Sequence, residues 1–256
     1  MNADRTPFPK SAFETLAKAE ARHWWFRARN RLILWVMKSR IGSIHNFLEI
    51  GCGTGFVLEG IQREYPKATV SGTEFFDEGL THARRRLPNA NFEQLDARTM
   101  TDKERFDAIG AFDVIEHIEE DEQVLANLTH ALQNDGHLLL TVPQHKWLWS
   151  AADERACHVR RYTRRELIEK VERAGLEIQY ITSFVTLLVP LMWLARQRPG
   201  QREAERNSEF DISDRTNRLL ELVMKMEFGL LKVGITPSIG GSLLLLAKKR
   251  QTGGIQ

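Results

Sequence analysis

The sequence predicts an α/β protein with a mostly parallel sheet covered by helices on both faces. From residue 46 onwards, short apolar segments alternate with amphipathic helical segments, as in a series of β-α-β units. A glycine-rich turn over residues 51–55 directly follows the first apolar segment. Hydrophobic residues make up 42% of the 256 residues and charged residues 27%, an ordinary balance for one well-packed domain.

The order of the elements follows from the apolar runs and the residues that end them. Residues 11–40 are predicted to be helical. Strands are predicted over residues 46–50, 69–73, 91–94, 106–112, 137–141, 176–182 and 242–248. Helices are predicted over residues 56–65, 77–87, near 121–132, and 163–174, with another over about 213–233. A Thr163–Glu166 capping pattern opens the fourth of these, and Gly175 ends it.

Charge and cysteine content exclude several classes of protein. The chain has 36 basic and 34 acidic side chains, whereas dedicated nucleic-acid binders usually carry a strong basic excess. Two cysteines, Cys52 and Cys157, predict no disulfide framework and favour a reducing cytoplasmic setting. The N-terminus has no apolar signal core, and the longest apolar run, 181–195, is shorter than the roughly 20 residues that cross a bilayer. We therefore expect a cytoplasmic protein without a transmembrane helix.

The turn after the first strand has glycines at alternate positions in the sequence LEIGCGTG, residues 48–55. Glycine lets the backbone turn sharply from strand to helix, and it lets a ligand lie directly against the main chain. A dinucleotide fingerprint needs a third glycine where this chain has Phe56. The pattern therefore favours a ligand without a pyrophosphate, such as S-adenosylmethionine (SAM), over NAD.

Acidic residues follow the next two predicted strands. Glu74 ends the second strand, about 20 residues beyond the glycines, where an α/β nucleotide site places a carboxylate on ribose hydroxyls. Asp96 follows the third strand and is predicted to accept a hydrogen bond from an adenine amino group. Either acid alone is as readily explained by solvation, but three features after three successive strands are more specific.

Four segments together resemble motifs of the class I SAM-dependent methyltransferases: LEIGCGTG at 48–55, LDA at 95–97, FDAIGAFDVIEH at 106–117 and NDGHLLLTVP at 134–143. The chain is most similar to the small-molecule branch that includes the ubiquinone-biosynthesis type. Segments 23–31 and 148–163 also resemble a subset of bacterial members. The resemblance implies a Rossmann-like three-layer sandwich with a seven-stranded, mostly parallel sheet and an antiparallel last strand. Glu rather than Asp at position 74 and an enlarged insertion before the last strand depart from the pattern.

The resemblance also implies the layout of one domain over residues 1–256. Residues 1–45 would form an N-terminal helical cap or lid, 46–183 and 242–250 the Rossmann-like core, and 184–241 a helical, apolar insertion. SAM would be the cofactor and S-adenosylhomocysteine its product. Glu49 and Gly51 would lie near the methionine part of SAM. The expected cofactor-binding residues are Trp25, Arg29, Glu49, Gly51, Cys52, Gly53, Gly55, Glu74, Phe75, Asp96, Ala97, Phe112, Asp113, Val114 and His117.

The adjacent tryptophans Trp24 and Trp25 allow two interpretations. They can belong to an ordinary core stripe of an amphipathic helix. Two adjacent side chains on a helix cannot both face one core, however, so one of them can instead cover the cofactor as a lid. Arg29, one turn after Trp25, would then reach the SAM carboxylate.

Methyl transfer to oxygen requires positioning of the acceptor and removal of its proton. His158, His117 and Tyr162 are the candidate catalytic residues, because histidine titrates near neutral pH and both histidines follow strands at the expected ligand edge. Alternatively, all three are structural, and His117 only packs on SAM. No metal site is expected, because no histidine pair has ligand spacing; a Glu116/His117 magnesium site is the alternative.

These features predict transfer of a methyl group from SAM to a small-molecule acceptor, lipophilic or lipid-linked in one interpretation, with O-methylation favoured. A non-catalytic SAM-binding protein is the alternative, followed by a nucleotide-cofactor oxidoreductase, for which no Tyr-x-x-x-Lys pattern is present. A nucleic-acid methyltransferase often carries Asn/Asp-Pro-Pro-Tyr/Phe where this chain has residues 113–116 without proline. No nucleic-acid partner is expected.

The insertion begins with an apolar run over residues 184–195, followed by the arginines Arg196, Arg198, Arg202 and Arg206. An exposed apolar patch beside basic residues is typical of docking on an anionic bilayer. Residues 184–206 are therefore expected to make peripheral contact at the inner face of the membrane. Alternatively, the run packs on the predicted helix over 213–233 and on the sheet.

Overall fold

A computed structural model describes residues 10–196 and 212–250. Its seven strands form one sheet in the order β3-β2-β1-β4-β5-β7-β6, in which only β7 is antiparallel to its neighbours. This arrangement confirms the predicted Rossmann-like sheet. The strands are β1 (Asn46–Ile50), β2 (Thr69–Glu74), β3 (Asn91–Gln94), β4 (Phe106–Phe112), β5 (Leu132–Pro143), β6 (Leu176–Phe184) and β7 (Ser242–Lys249).

The described helices flank this sheet. They are α1 (Lys10–Ala19), α2 (Trp24–Arg40), α3 (Phe56–Glu64), α4 (Asp77–Arg86), α5 (Asp121–Ala131), α6 (Ala151–Arg155), α7 (Arg164–Arg173), α8 (Val189–Arg196) and α9 (Asp214–Lys232). Apolar residues of α5 and α7 pack with one side of the sheet, and those of α2, α3 and α9 pack with the other. Burial of these two clusters, at roughly 25 cal/mol per Å² of apolar surface, drives the layers together.

The predicted helix over residues 11–40 is two helices, α1 and α2, separated by a break at residues 20–23. His23 Nδ1 accepts a hydrogen bond from the Trp25 backbone N–H at 3.3 Å. The side chain of Asn217 in α9 accepts from the Trp24 N–H and donates to the Arg22 carbonyl, both at 2.8 Å. Because α9 supplies half of this cap from a distant part of the sequence, local periodicity could not show the break.

The strand predicted to open at His137 begins earlier, at Leu132. Leu132 pairs with Phe106, and the register between β4 and β5 then shifts before Ala108 pairs with His137. The Asn-Asp-Gly sequence at residues 134–136 predicts a turn before this strand, and Asp135 has a φ of +64°. The Asn-Asp-Gly sequence therefore forms an irregularity within β5 rather than a turn that precedes it.

Within the described residues, the apolar insertion is partly packed on the core and partly exposed. Phe184, Val185 and Leu188 are buried, whereas Leu191 and Trp193 on α8 are about half exposed. Arg198, Arg202 and Arg206, together with the side chain of Arg196, lie outside the described residues. No helix in the described ranges is long and apolar enough to span a membrane.

Candidate active site

The glycine turn lies at the carboxyl end of β1, between the sheet and the first turn of α3. Gly51 and Gly53 have φ values of +62° and +51°, which residues other than glycine rarely adopt. A Cβ atom at Gly51 would lie 2.6 Å from Val114 Cγ2, whereas one at Gly53 would meet no heavy atom within 4 Å. The chain therefore packs against Gly51 and leaves open space beside Gly53, where a ligand can approach the backbone.

Glu74, at the end of β2, holds this turn in place. Its Oε2 accepts a hydrogen bond from the Gly53 N–H at 2.9 Å, and its Oε1 accepts from the Phe76 N–H at 3.1 Å. Burial raises the pKa of the Glu74 carboxyl, and the backbone hydrogen bonds partly offset this effect. A carboxylate has about four acceptor sites, so the two ribose hydroxyls of a nucleoside can share it with these amides.

Replacing Glu74 with alanine is expected to weaken SAM binding by about 1–3 kcal/mol, because it removes a charged acceptor and releases the Gly53 amide. Isothermal titration calorimetry measures the change. The matched control is Glu64→Ala, which removes an exposed carboxylate that pairs with Lys38 at the far end of α3. Equal SAM affinities of Glu74→Ala and the unmodified chain would contradict a ribose-binding role.

Glu49, on β1, is a buried carboxyl group with an unsatisfied oxygen. The residue is 2% exposed, and its Oε2 has no hydrogen-bond partner within the described part of the chain. Burial raises the pKa of this carboxyl well above its usual range, although nearby Arg29 lowers it. An ammonium or sulfonium group placed beside Glu49 would satisfy this oxygen and favour the ionised carboxylate.

Arg29, on α2, contacts Asp113 at the end of β4. Its Nη1 donates a short hydrogen bond to Asp113, and its guanidinium lies 4.5 Å from the centroid of the Trp25 ring. Asp113 also accepts a hydrogen bond from the Thr141 hydroxyl at 3.0 Å. Buried Arg29 Nε has no hydrogen-bond partner in the described ranges. This arrangement leaves one donor of Arg29 free for an anionic group, as a SAM carboxylate requires.

The tryptophan pair does not divide cleanly into one core residue and one lid residue. Trp24 and Trp25 are both partly buried and both contact the core cluster on the α2 side of the sheet. Trp25 packs edge-on against Phe26 with ring centroids 5.0 Å apart. Arg29 contacts both the Trp25 ring and Asp113.

The Asp96 carboxylate accepts hydrogen bonds from Arg98, in the same loop. Both of its oxygens accept hydrogen bonds from the Arg98 side chain, at 2.7 to 3.0 Å, and Oδ1 also accepts from the Arg98 N–H. These bonds lower the pKa of the Asp96 carboxyl. Phe75, near the same edge of the sheet, is half exposed. An adenine amino group at Asp96 would have to share its oxygens with Arg98.

Several residues expected at the cofactor lie in the packing around the turn. Cys52, Ala97 and Phe112 are each less than 9% exposed. Phe112 belongs to the core cluster on the α2 side, and burial raises the pKa of the Cys52 thiol. A Cβ atom at Gly55 would lie 3.2 Å from Ala83 of α4. These residues therefore lie in the packed interior around the turn.

His158 is oriented by a buried carboxylate. Its Nδ1 lies 2.9 Å from Asp153 Oδ1, and Arg161 forms two hydrogen bonds to the same carboxylate at 2.7 and 3.0 Å. Burial alone would raise the pKa of Asp153, but the hydrogen bonds from His158 and Arg161 outweigh it and hold this pKa well below its usual value. An ionised carboxylate can only accept, so Nδ1 of His158 donates, and in the neutral tautomer of this ring the lone pair lies on Nε2.

His158, His117 and Glu116 form one cluster beside Asp113. The rings of the two histidines pack edge-to-face with centroids 4.7 Å apart. Burial is the main cause that lowers the pKa of His117, to about 4, and the charge of nearby His158 is the second. Glu116 is fully buried, and burial raises the pKa of its carboxyl well above its usual range. His117 is therefore neutral at physiological pH, and burial favours the neutral form of the Glu116 carboxyl.

The same three residues could hold a metal ion, since each offers a ligand atom and these atoms lie within 4.8 Å of one another. The prediction of no metal site rested on spacing along the sequence and stays a prediction, because the proximity of three ligand atoms does not by itself show metal binding. His117 and His158 follow different strands, and only the return of the loop after β5 brings them together, where the Val159 N–H donates to the Glu116 carbonyl at 2.8 Å.

Tyr162 does not lie in the site, which corrects its assignment as a catalytic residue. Its side chain is fully buried in the core cluster on the α5 side of the sheet. The hydroxyl donates to Asp121 Oδ2 at 2.7 Å, and Asp121 also pairs with Lys170 and Arg160. The phenol therefore ties the loop after β5 to the start of α5.

Replacing Tyr162 with phenylalanine is expected to lower the free energy of unfolding by about 0.5–1.5 kcal/mol, because one buried hydrogen bond is lost while Asp121 keeps its cationic partners. Thermal unfolding should detect a midpoint lower by roughly 2–4 °C per kcal/mol in a chain of this size. SAM affinity should not change. A large loss of turnover with an unaltered midpoint would restore a catalytic role.

Sequence reasoning missed Glu20, which links α1 to the glycine turn. The Thr54 hydroxyl donates to Glu20 Oε1 at 2.7 Å, and Arg86 Nη2 donates to Oε2 at 3.1 Å. Burial raises the pKa of the Glu20 carboxyl despite these partners. No motif marked this residue, because its two partners come from separate parts of the sequence, the glycine turn and α4.

Comparison with known proteins relates this geometry to one family. The family described as "Methyltransferase domain" matches residues 12–181. The chain is 28% identical over 118 residues to a malonyl-[acyl-carrier protein] O-methyltransferase of Bacillus cereus, covering 44% of each chain. It is 32% identical over 100 residues to a trans-aconitate 2-methyltransferase of Variovorax paradoxus, covering 39% of each. The matched region thus spans less than half the length of these curated relatives.

A solved structure shares the fold at low sequence identity. The phosphoethanolamine N-methyltransferase 2 of Haemonchus contortus, in complex with SAM, superposes with a TM-score of 0.64 at 16% identity, covering 97% of this chain and 59% of that one. The glycine turn, the acid at the end of β2 and the sheet order therefore occur together with the family match over most of the sheet. The chain belongs to the methyltransferase-domain family and has the class I fold of SAM-dependent methyltransferases.

Proposed function

We propose that this chain transfers a methyl group from SAM to an oxygen atom of a small-molecule acceptor. The observation that carries the proposal is the His158–Asp153 pair, which leaves a lone pair on Nε2 of the neutral His158 ring, beside His117 and Glu116. A base oriented in this way suits an acceptor that must lose a proton. The name of one relative, a malonyl-[acyl-carrier protein] O-methyltransferase, is consistent with an oxygen acceptor.

The buried polar atoms around the glycine turn fit SAM. Glu49 offers a carboxyl oxygen without a partner for the cationic part of the ligand, and Arg29 Nε offers a free donor for its carboxylate. Glu74 would take the ribose hydroxyls, and the open space beside Gly53 admits the ligand against the backbone. When bound, SAM supplies an electrophilic methyl group on a sulfonium whose departure leaves a neutral thioether.

The residues around His158 would remove the proton of the acceptor and keep the base in position. His158 Nε2 takes the acceptor proton, and Asp153 stabilises the imidazolium that results. Arg161 keeps Asp153 ionised and fixed, since it donates both to this carboxylate and to the Gln144 carbonyl. Neutral His117 packs against His158 and limits the rotation of its ring.

A lipophilic or lipid-linked acceptor fits the edge of the site. α8 contacts the turn Lys146–Leu148, which precedes the His158 loop, and Trp147 in that turn is 52% exposed. Leu191 and Trp193 on α8 add exposed apolar surface near this turn. Peripheral contact of residues 184–206 with the inner face of the membrane would bring such an acceptor to the site.

Incubation with methyl-labelled SAM and fractionated bacterial extract tests the proposal. Label should move into a lipid or small-molecule fraction, and this transfer should fall in His158→Ala. Binding of SAM without transfer to any fraction would favour the alternative, a non-catalytic SAM-binding protein. Calorimetric binding of NAD but not of SAM would indicate an oxidoreductase and overturn the cofactor assignment.

A further inference from the structure

The solvent-facing side of α9 combines apolar and basic side chains. Its exposed apolar residues are Leu219, Leu222, Met226 and Leu230, each between 40% and 60% exposed, and Val233 follows at 75%. Its exposed charged residues are Arg215, Arg218, Lys225 and Lys232, with Asp214 as the one exposed acid of this helix. We call these residues the α9 surface. The two other acids of the helix, Glu221 and Glu227, are buried on its inner side.

The buried side already accounts for the stability of this helix. Met224 and Leu231 pack in the core cluster with α2, and Glu227 Oε2 accepts from the Leu187 N–H at 2.9 Å. Glu221 pairs with Arg27 at 2.8 Å and with Arg31 at 3.4 Å, both on α2. The exposed leucines are therefore not needed to hold α9 on the protein, and their exposure costs solubility unless they have a partner.

We propose that the α9 surface docks on an anionic lipid bilayer, with the helix lying in the plane of the interface. A helix whose exposed residues are large and apolar or basic matches this environment, where acyl chains receive leucine and methionine and phosphate groups receive arginine and lysine. A second copy of this chain is a poorer partner, because a twofold contact would bring the same basic residues together. Nucleic acid would leave the apolar residues without contacts.

A cavity at the start of α9 extends the basic surface. Arg22, Arg27 and Arg218 line it, next to the Asn217 side chain that caps α2. Asp214 and Glu221 also line the cavity, and Glu221 is already paired with Arg27. Guanidinium groups bind phosphate through paired donors, so this cavity suits the phosphate of a lipid headgroup.

Docking at this surface would connect the membrane to the predicted lid. Asn217 binds the first turn of α2, the helix that also carries Trp25 and Arg29. The role of docking, delivery of a lipophilic acceptor, rests on the proposed function, whereas binding to the bilayer does not.

Vesicle flotation with the full chain tests this surface directly. The chain should float with phosphatidylcholine vesicles that contain about 30 mol % phosphatidylglycerol, and less with phosphatidylcholine alone or at high salt. The double variant Leu222→Glu/Met226→Glu should lower the bound fraction about tenfold or more. It removes two apolar contacts and adds two negative charges, which the anionic lipid headgroups repel. Arg218→Glu should weaken binding and reduce its salt dependence.

Ala126→Glu is the control for an added carboxylate, since it places one negative charge at an exposed position of α5 on the opposite face of the sheet. It should float like the unmodified chain. Failure to bind anionic vesicles at low salt would overturn the proposal, as would unchanged flotation of the double variant. A concentration-dependent dimer that the double variant abolishes would assign the surface to a second copy instead.

Calorimetry with SAM on the same variants keeps this proposal separate from the proposed function. All three variants should bind SAM with unchanged affinity, which also shows that they are folded. Loss of vesicle binding with normal SAM affinity supports docking. Absence of SAM binding in the unmodified chain would overturn the cofactor assignment and leave the flotation result standing.

Discussion

Replacing Gly53 with valine is expected to abolish SAM binding and leave the protein folded. No heavy atom lies within 4 Å of the position that a Cβ would take, so the substitution creates no clash within the protein. The new side chain would instead fill the open space beside the backbone in which the ligand has to lie. The positive φ of +51° adds a cost of roughly 1–2 kcal/mol to the fold, which a well-packed domain of this size tolerates.

Gly42→Val separates these two effects. Gly42 lies between α2 and β1, has a φ of +81° and also has no heavy atom within 4 Å of a Cβ position. This control should show a similar loss of thermal stability and normal SAM affinity. Calorimetry on both variants measures the difference, and SAM affinity of Gly53→Val within about threefold of the unmodified chain would show that the ligand does not lie there.

His158→Ala is expected to lower turnover by about 10²–10⁴-fold with little change in SAM affinity, because a positioned base contributes to the transition state and not to cofactor binding. Asp153→Asn should lower turnover as well, since an amide no longer fixes Nδ1 of His158 as the donor. The control is His130→Ala, on the exposed side of α5. Loss of the fold or of SAM binding in His158→Ala would assign this loop a structural role.

The same assay distinguishes a base from a metal ligand at His158. Glu116, His117 and His158 are close enough to hold an ion, so activity is measured with and without a strong chelator. Activity that is insensitive to the chelator is expected if His158 acts as the base. Activity that disappears with the chelator and returns with a divalent metal would indicate that His158 Nε2 binds a metal ion and does not act as the base.

The cofactor side of the site was largely visible in the sequence, whereas the acceptor side was not. Gly53 and Glu74 lie in sequence motifs because each is fixed by the end of its own strand, and a parallel sheet brings those ends together. The contacts of Glu20 with Thr54 and Arg86, and the contact between His117 and His158, join segments that are distant in sequence. Tyr162 shows the opposite error: its neighbours in sequence suggested the site, but its side chain turns into the core.

The sheet could be predicted from the sequence, because the alternation of apolar strands with amphipathic helices and glycine turns acts over a few residues at a time. The family could be predicted as well, since the motifs lie at the carboxyl ends of successive strands. Which side of each helix is buried, in contrast, depends on tertiary packing. α9 has apolar residues on two sides, and the ion pairs of Glu221 with α2 select the side that packs inwards. The remaining leucines of α9 are exposed. Burial of a side chain depends on which surfaces of the folded chain meet, and a local sequence pattern does not predict this.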